Sequence, residues 1–461
     1  MNTNTSISIG NIALLDKIDR EFNFFGSVLK GLTGKTKHFK ESVKLLVSNR
    51  LGKCVSINRL SSLYNSEFFE LLGFKKNPKD RTISRDLERV GERSPFIIEQ
   101  YQKLLDKKSL VSSTQFIDWS SSSLDGNKTD LAQFGYSRDK RPDKKQITWG
   151  ISTGINGIPT ALTIQKGNVV DKKHFKSMLK TVEKVLEPGS FLVFDCGANT
   201  KENKNDILSR GYNYLTLKQK QRGPYQKYIK MYKESKKEVF ILNSLRYKCV
   251  KVKDGEIFKY IYFCKKTYKN QKFKNNKRFQ KELKKNDKIL KKVKKEKEIS
   301  RILSKEGEIS IRGELNLREV INPYKTGLEG FFILECSKDL EPFKVLRLYK
   351  DRDKAEKLIR DMKEGTELRP IRHFSKKAII GYLTIVFLTN CIIQLTHFLT
   401  QNSEVKNLKL LRKYLNSLTV TIVYNKSLFK FSVLSNILPE TEAILGNSIE
   451  KYEDKSLKLR W

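Results

Sequence analysis

This 461-residue sequence lacks closely spaced cysteine pairs, contains few histidines and has too few acidic residues to balance its basic ones. None of its six cysteines is spaced Cys-x-x-Cys, and it has only four histidines. These absences argue against a zinc site and favour reduced thiols in a cytosol. The N-terminus has no basic start followed by a long apolar run, so we expect no signal peptide.

The shortage of acidic residues is large. Lys and Arg number 92 against 51 Asp and Glu, which gives a formal net charge of +41. Such an excess predicts a polyanionic partner, DNA or RNA. Basic ribosomal and chromatin proteins share this charge, but they are usually short or poor in apolar residues. This chain is 38% hydrophobic and long enough for two or three domains.

One uncharged stretch, residues 378–403, is long enough to cross a bilayer. It is interrupted by Asn390, Gln394 and His397, and a basic region follows it. We therefore interpret it as the buried helix of a large α/β core and expect no membrane partner. A membrane-spanning helix is the alternative.

Residues 1–105 show helical periodicity and are predicted to form a helical DNA-binding domain. Ser56 and Ser84 are the expected N-caps of two short amphipathic helices. Short helices that start with arginine suit a helix-turn-helix reader of the major groove. An ordinary helical bundle is the alternative.

Residues 106–222 change to short apolar and β-branched runs, which predict an α/β core with a mixed sheet flanked by helices. The predicted strands are TQFIDW, QITWGISTGI, IPTALTIQKG, SFLVFD and YNYLTLK. Asp171 and Thr200 are expected to cap the helices between them. The core is predicted to resume over residues 329–403.

Between these two parts, residues 223–328 are predicted to form a basic, β-rich insertion. It holds the strands EVFIL, LRYKCVKV and IFKYIYFC, followed by a helix over residues 268–298. That helix contains fourteen Lys or Arg and four acids, so we interpret it as a phosphate-contacting helix. A solvated face is the alternative. The basic C-terminal region, residues 404–461, is a candidate for dimerisation.

Three acidic residues are candidates for chemistry. Asp118 and Asp195 are each expected to end a strand, at the sheet edge where α/β folds place their sites, and Glu356 lies on a predicted helix. Three carboxylates form a hard oxygen cage that suits Mg²⁺ or Mn²⁺. Two such ions about 4 Å apart can activate a nucleophile and stabilise the leaving oxygen of a phosphodiester.

The helix predicted over residues 348–365 carries a polar stripe of four residues: Tyr349, Arg352, Glu356 and Lys363. At roughly 100° per residue they fall within about 60° of one another. The alternative is a solvated face, on which Arg352 and Glu356 form a weak i, i+4 ion pair. That alternative does not account for Tyr349 and Lys363.

The stretch YKDRDKAEKLIRDMK fits the pattern Y-x2-R-x3-E-x6-K and is followed by LRPIRHF. Together with FIDWSSSSLDG, FGYSRDKRPDKKQITWGI, GNVVDKKHF and FDCGANT, it resembles the DDE-type cut-and-paste insertion-sequence transposases with a Tyr-Arg-Glu-Lys signature. The resemblance covers roughly residues 110–400. The sequence departs from the family pattern at Trp119-Ser120, where threonine is frequent, and at Lys140, where histidine is frequent.

The resemblance implies an RNase H-like core interrupted by a β-rich insertion. It implies Asp118, Asp195 and Glu356 as catalytic ligands of two Mg²⁺ or Mn²⁺ ions, and Tyr349, Arg352 and Lys363 as contacts to the transposon-end strand. The implied protein is a prokaryotic cytoplasmic, nucleoid-associated transposase that cleaves transposon ends, joins them to target DNA and assembles as a homodimer on double-stranded DNA. A nuclease on the same fold and a non-catalytic DNA-binding repressor are the alternatives.

Overall fold

A computed structural model of the chain describes residues 4–32, 38–125, 129–295, 322, 324–424 and 430–453. The chain divides into two compact units. The first comprises Met1–Asn213 and Asp351–Trp461, and the second comprises Tyr214–Lys350. The second unit thus starts before and ends after the predicted insertion, and the N-terminal helices belong to the same unit as most of the core.

The secondary-structure elements are numbered here in chain order. The helices are α1 (Gly10–Phe22), α2 (Phe24–Val28), α3 (Phe39–Leu51), α4 (Leu60–Leu63), α5 (Ser66–Leu71), α6 (Asp80–Glu92), α7 (Ser94–Lys107), α8 (Asp171–Val182), α9 (Lys201–Ser209), α10 (Arg222–Glu234), α11 (Lys265–Lys295), α12 (Pro342–Asp351), α13 (Asp353–Arg360), α14 (Lys376–Thr400), α15 (Leu408–Ser417) and α16 (Pro439–Leu445). The strands are β1 (Thr5–Ser8), β2 (Thr114–Ser123), β3 (Gln146–Gly154), β4 (Pro159–Lys166), β5 (Phe191–Phe194), β6 (Asn213–Leu217), β7 (Glu238–Leu242), β8 (Leu245–Asp254), β9 (Ile257–Cys264), β10 (Phe331–Cys336), β11 (Thr419–Tyr424) and β12 (Lys430–Ser435).

The main sheet of the first unit has the strand order β4-β3-β2-β5. β2, β3 and β4 pair antiparallel, whereas β5 runs parallel to β2, so the predicted mixed sheet is confirmed. Gly157, in the predicted Asn156-Gly157 turn between β3 and β4, has a φ of +83°, which glycine adopts at little cost. β1, β11 and β12 form a separate three-stranded sheet.

Helix α14 is the uncharged stretch, and it packs against α6 and α3. Among the described residues, α14 is the one helix that has the length and the apolar composition to cross a membrane. However, 83% of its most apolar stretch is buried inside the protein. Its contact with α6 is made through glycines. A Cβ on Gly381 would meet the Leu87 carbonyl oxygen at 2.0 Å, and a Cβ on Gly91 would meet that of Lys377 at 1.8 Å. The two backbones therefore touch.

The helix starts are partly as predicted. Thr200 caps α9, since its hydroxyl accepts the Asn203 amide at 3.1 Å. Ser84 is not a cap: α6 begins at Asp80, whose carboxylate lies in the first turn, where the helix dipole favours negative charge. Asp171 is the first residue of α8 rather than its cap.

The second unit contains an antiparallel sheet with the order β6-β10-β9-β8-β7, which includes the strands predicted for the insertion. Tyr225, Tyr228, Ile229 and Tyr232 of α10 pack against this sheet. The predicted basic helix is found as α11. Residues 296–298 of that prediction, and 454–461 of the C-terminal region, lie outside the described residues.

Candidate active site

Asp118 and Asp195 lie on neighbouring parallel strands. β2 pairs with β5 so that Thr114 faces Phe191 and Phe116 faces Val193. Two residues further in this register, Asp118 is level with Asp195, which directly follows β5. The two aspartates are therefore level with each other, just beyond the parallel pairing of β2 with β5.

The prediction that β2 ends at Asp118 is wrong. The strand continues through a run of serines to Ser123 and pairs along this length with β3. Ser120, Ser121 and Ser122 are buried, and the Ser122 hydroxyl accepts a hydrogen bond from Trp149 Nε1 at 3.0 Å. The Ser121 hydroxyl accepts a hydrogen bond from the Arg138 amide at 3.0 Å, so polar residues with partners elsewhere in the fold extend the strand. Asp118 is left in mid-strand, with 19% of its side chain exposed.

The prediction of one helix over residues 348–365 is also wrong. α12 ends at Asp351, Arg352 is the N-cap of α13, and a π-helical turn follows at Asp361–Gly365. A π-turn closes i→i+5 hydrogen bonds and so rotates less per residue than an α-helix. The polar stripe therefore does not run straight from Glu356 to Lys363.

Arg352 joins two of the three candidate acids. Its Nη1 lies 3.4 Å from Asp118 Oδ2, and its Nη2 donates to Glu356 Oε1. Arg352 is 11% exposed, whereas Glu356 is 50% exposed. α13 itself lies against β2 and β3, which sets the guanidinium beside the strand of Asp118.

The charges around Asp118 are poorly balanced. Burial is the main reason that the pKa of Asp118 is raised to about 6. The charges of Glu356 and Asp195 raise this pKa further, while Arg352 and the Trp119 amide lower it. The charges of Glu356 and Asp195 are thus close enough to act on Asp118, and Arg352 is shared between Asp118 and Glu356.

Hard carboxylate oxygens are the ligand type that Mg²⁺ and Mn²⁺ prefer. In the part of the chain that the structure describes, however, no group of three or more His, Cys, Asp and Glu side chains is arranged to hold a metal ion. The donor chemistry and the excess of negative charge fit a divalent cation. The contact between Arg352 and Glu356 is the part of the arrangement that does not.

The other two stripe residues are placed differently. Lys363 is buried and donates to Asp139 Oδ1 at 2.6 Å. Tyr349 is half-buried in α12 and belongs to the second unit, whereas Arg352, Glu356 and Lys363 belong to the first.

A second ion pair, which the sequence did not indicate, packs against the loop that follows Asp195. Arg138 Nη2 lies 2.6 Å from both carboxylate oxygens of Asp171. A Cβ on Gly197 would meet Asp171 Oδ2 at 2.6 Å, so the backbone at Gly197 packs directly on this carboxylate. The motifs FGYSRDKRPD, GNVVDKKHF and FDCGANT meet here. The presence of all three motifs was the one indication in the sequence that these segments contact each other. No spacing rule predicts a pair such as Arg138 and Asp171, which lie far apart in the sequence.

No protein-family model matches the sequence, and no curated protein is significantly similar to it. Among solved structures, the chain is similar to a piggyBac transposase in a synaptic complex with hairpin DNA, determined by cryo-EM. The similarity covers 90% of this chain and 83% of that chain, with 11% sequence identity and a TM-score of 0.42. At this level of similarity, any assignment has to come from the residues of the chain itself.

Proposed function

We propose that the protein is a DNA transposase of the DDE type, with an RNase H-like core that carries out metal-dependent phosphoryl transfer. The observation that supports this most is that Arg352 contacts both Asp118 and Glu356, and that Asp195 lies close enough to Asp118 for its charge to act on it. A solvated charged helix does not account for it, because such a helix would not direct a nearly buried arginine to a buried aspartate. The signature motifs and the net charge of +41 add to this support.

In this proposal Asp118, Asp195 and Glu356 hold the Mg²⁺ or Mn²⁺ ions. Such ions, when bound, activate a water or a 3′-hydroxyl and stabilise the leaving oxygen of a phosphodiester. Of the two carboxylates that contact Arg352, Glu356 is more exposed than Asp118. In the proposal, Glu356 would exchange its contact with Arg352 for a contact with the metal. Burial is the main cause of the raised pKa of Asp118, and the charges of Glu356 and Asp195 add to it, so a bound cation would be favourable here.

Arg352 has the complementary role of an anion contact. Once released from Glu356, its Nη2 would be available to a phosphate oxygen, while Nη1 stays beside Asp118. A guanidinium held in this way supplies fixed positive charge where phosphoryl-transfer charge develops. Tyr349 is proposed to contact the same end strand, as the resemblance implies. For Lys363, the same role requires its ammonium group to leave Asp139.

The basic surface of the second unit is proposed to bind DNA without sequence preference. Over its 31 residues, α11 carries fifteen Lys or Arg against the acids Glu282 and Asp287. Each phosphate contact releases counterions, so this helix would contribute salt-dependent affinity. The proposed assembly is a homodimer on double-stranded DNA.

Incubation with DNA carrying the element's own ends tests the function. The expected result is Mg²⁺-dependent cleavage at those ends and, from a pre-cut end, joining to a second DNA. Cleavage without joining would indicate a nuclease instead. Binding with no cleavage in Mg²⁺ or Mn²⁺ would indicate a repressor and contradict the proposal.

A further inference from the structure

Asp139 connects three segments next to the candidate active site. Its side chain is 3% exposed, and its Oδ1 accepts from Lys363 Nζ at 2.6 Å and from Arg369 Nη1 at 2.8 Å. Its Oδ2 accepts from the Ser123 amide at 3.0 Å. Ser123 ends β2, Lys363 lies in the π-turn after α13, and Arg369 lies in the next loop. The Asp139 carboxylate thus links β2, the strand of Asp118, to the end of α13, the helix of Glu356.

The two cations on Asp139 differ in what they can reach. Lys363 is 7% exposed, and moving its ammonium group to a DNA phosphate would leave a buried carboxylate with one cation fewer. Arg369 is 32% exposed and is held from two sides. Its Nη1 is bound by buried Asp139, while its Nη2 lies 3.0 Å from Glu364, which is 60% exposed.

Arg369 also lines a cavity of about 600 Å³. The cavity is also lined by Arg50 and Arg372 and by the acids Glu88 and Glu367. The Arg372 side chain is 78% exposed, and its Nε lies 3.5 Å from Asp125 Oδ2. Glu88 already accepts a hydrogen bond from Ser375 at 2.6 Å. The cavity therefore presents more positive than negative charge, and one prong of Arg369 can exchange an exposed carboxylate for another anion without disturbing Asp139.

We propose that this cavity binds a backbone phosphate of the DNA through Arg369 and Arg372, and that Lys363 is a positioning residue that acts through Asp139. The inference rests on the proposed function only in taking DNA as the polyanion. The guanidinium fork of Arg369 suits phosphate, because one prong is oriented in advance and the other is free to exchange. Lys363 instead holds the end of α13 in place beside β2, through its ion pair with Asp139.

Binding to a labelled random-sequence DNA duplex in EDTA separates the two cations. The variants are Arg369→Gln, Arg372→Gln and Lys363→Met. The control is Arg210→Gln, because Arg210 also has two carboxylate partners, Glu183 and Asp206, and is 37% exposed. Arg369→Gln and Arg372→Gln should each flatten the slope of log K against log salt by up to about 0.9, the value for the loss of the one phosphate contact that they share. Lys363→Met and the control should leave the slope unchanged.

Cleavage assays on the same variants test the positioning role. Lys363→Met should lower kcat for DNA cleavage with little change in KM, and Lys363→Arg, which keeps a cation for Asp139, should restore most of kcat. If Lys363→Met does not fold, Lys363→Gln, whose side-chain amide can still donate a hydrogen bond to Asp139, replaces it in the binding assay. Arg369→Lys should keep the slope but bind more weakly.

Two results would overturn the inference. One is a slope lowered by about 0.9 in Lys363→Met or in Lys363→Gln, since Lys363 would then contact phosphate. The other is a wild-type slope in Arg369→Gln and Arg372→Gln. If wild-type protein binds and cleaves DNA in that second case, this inference alone fails. If wild-type protein does not bind DNA, the proposed function fails as well.

Discussion

Asp118 and Asp139 are two nearly buried aspartates beside the same strand, and their surroundings are opposite. The Asp139 carboxylate accepts hydrogen bonds from the side chains of Lys363 and Arg369 and from the Ser123 amide, all within 3.0 Å. Burial alone would raise the pKa of Asp139, but these partners, Lys363 above all, lower it. Asp118 has Arg352 at 3.4 Å and two acids nearby, and burial raises its pKa to about 6.

The difference separates a structural carboxylate from a candidate functional one. The chain itself supplies the cations that Asp139 needs, so nothing else has to bind there. At Asp118 the fold brings carboxylates together and supplies one guanidinium for two of them. Such an imbalance costs stability and is typical of a site whose missing charge comes with a ligand.

The largest expected effect is on catalysis. Asp118→Ala or Asp195→Ala should lower the cleavage rate by at least about a thousandfold, because loss of a metal ligand removes several kcal/mol of transition-state stabilisation. Binding of end DNA should survive. Asp143→Ala is the control, since Asp143 is 58% exposed and pairs with Arg141. Cleavage at near wild-type rate by either variant would remove that aspartate from the site.

Local patterns predicted β2 to β9 and the approximate position of the basic helix, because alternation and charge are read from neighbouring residues. They did not predict β11 and β12, or β1, which lies within residues predicted to be helical. They did not predict that β2 runs past Asp118, since the buried serine hydroxyls are satisfied by Trp149 and other groups distant in sequence. Nor did they predict the π-turn at Asp361–Gly365, which breaks the stripe between Glu356 and Lys363. The motifs indicated which residues to consider, whereas the pairing of Lys363 with Asp139 depends on tertiary contacts.

The second prediction compares the two aspartates by stability. Asp139→Asn should lower the free energy of unfolding by about 3–5 kcal/mol, because it breaks a buried ion pair and leaves Lys363 without its carboxylate. Asp118→Asn should change it by less than about 1 kcal/mol or increase it, because the change removes a repelled charge. Urea unfolding measures both. Equal losses would mean that the two carboxylates are equally satisfied in the folded protein.

The third prediction concerns metal. Mg²⁺ at ten times its dissociation constant should stabilise the wild-type protein by about 1.4 kcal/mol, since it binds the folded state. Asp118→Asn and Glu356→Gln should lose this gain, whereas Asp143→Asn should keep it. The readout is the thermal midpoint in Mg²⁺ and in EDTA, without DNA. A gain of the same size in all variants would place the ion elsewhere.

The smallest effect comes from a third, half-buried aspartate, which tests whether a carboxylate whose pKa is raised mainly by burial lowers the stability of the fold. Burial is the main reason that the pKa of Asp361, in the π-turn, is raised to about 6, although Arg360 opposes the shift. Because this pKa lies above the unfolded value, the folded state binds more protons between about pH 4 and pH 6, and stability falls as pH rises through that window.

Asp361→Asn should remove this fall, which we expect to be about 1 kcal/mol after allowing for partial exposure to solvent. The difference in unfolding free energy between wild type and Asp361→Asn should therefore change between pH 4 and pH 6 and stay constant above it. Asp353→Asn, which alters an exposed carboxylate in α13, is the control. A difference that stays constant across the whole range would show that Asp361 is satisfied in the fold, and that the neighbouring acids, rather than burial, set Asp118 apart.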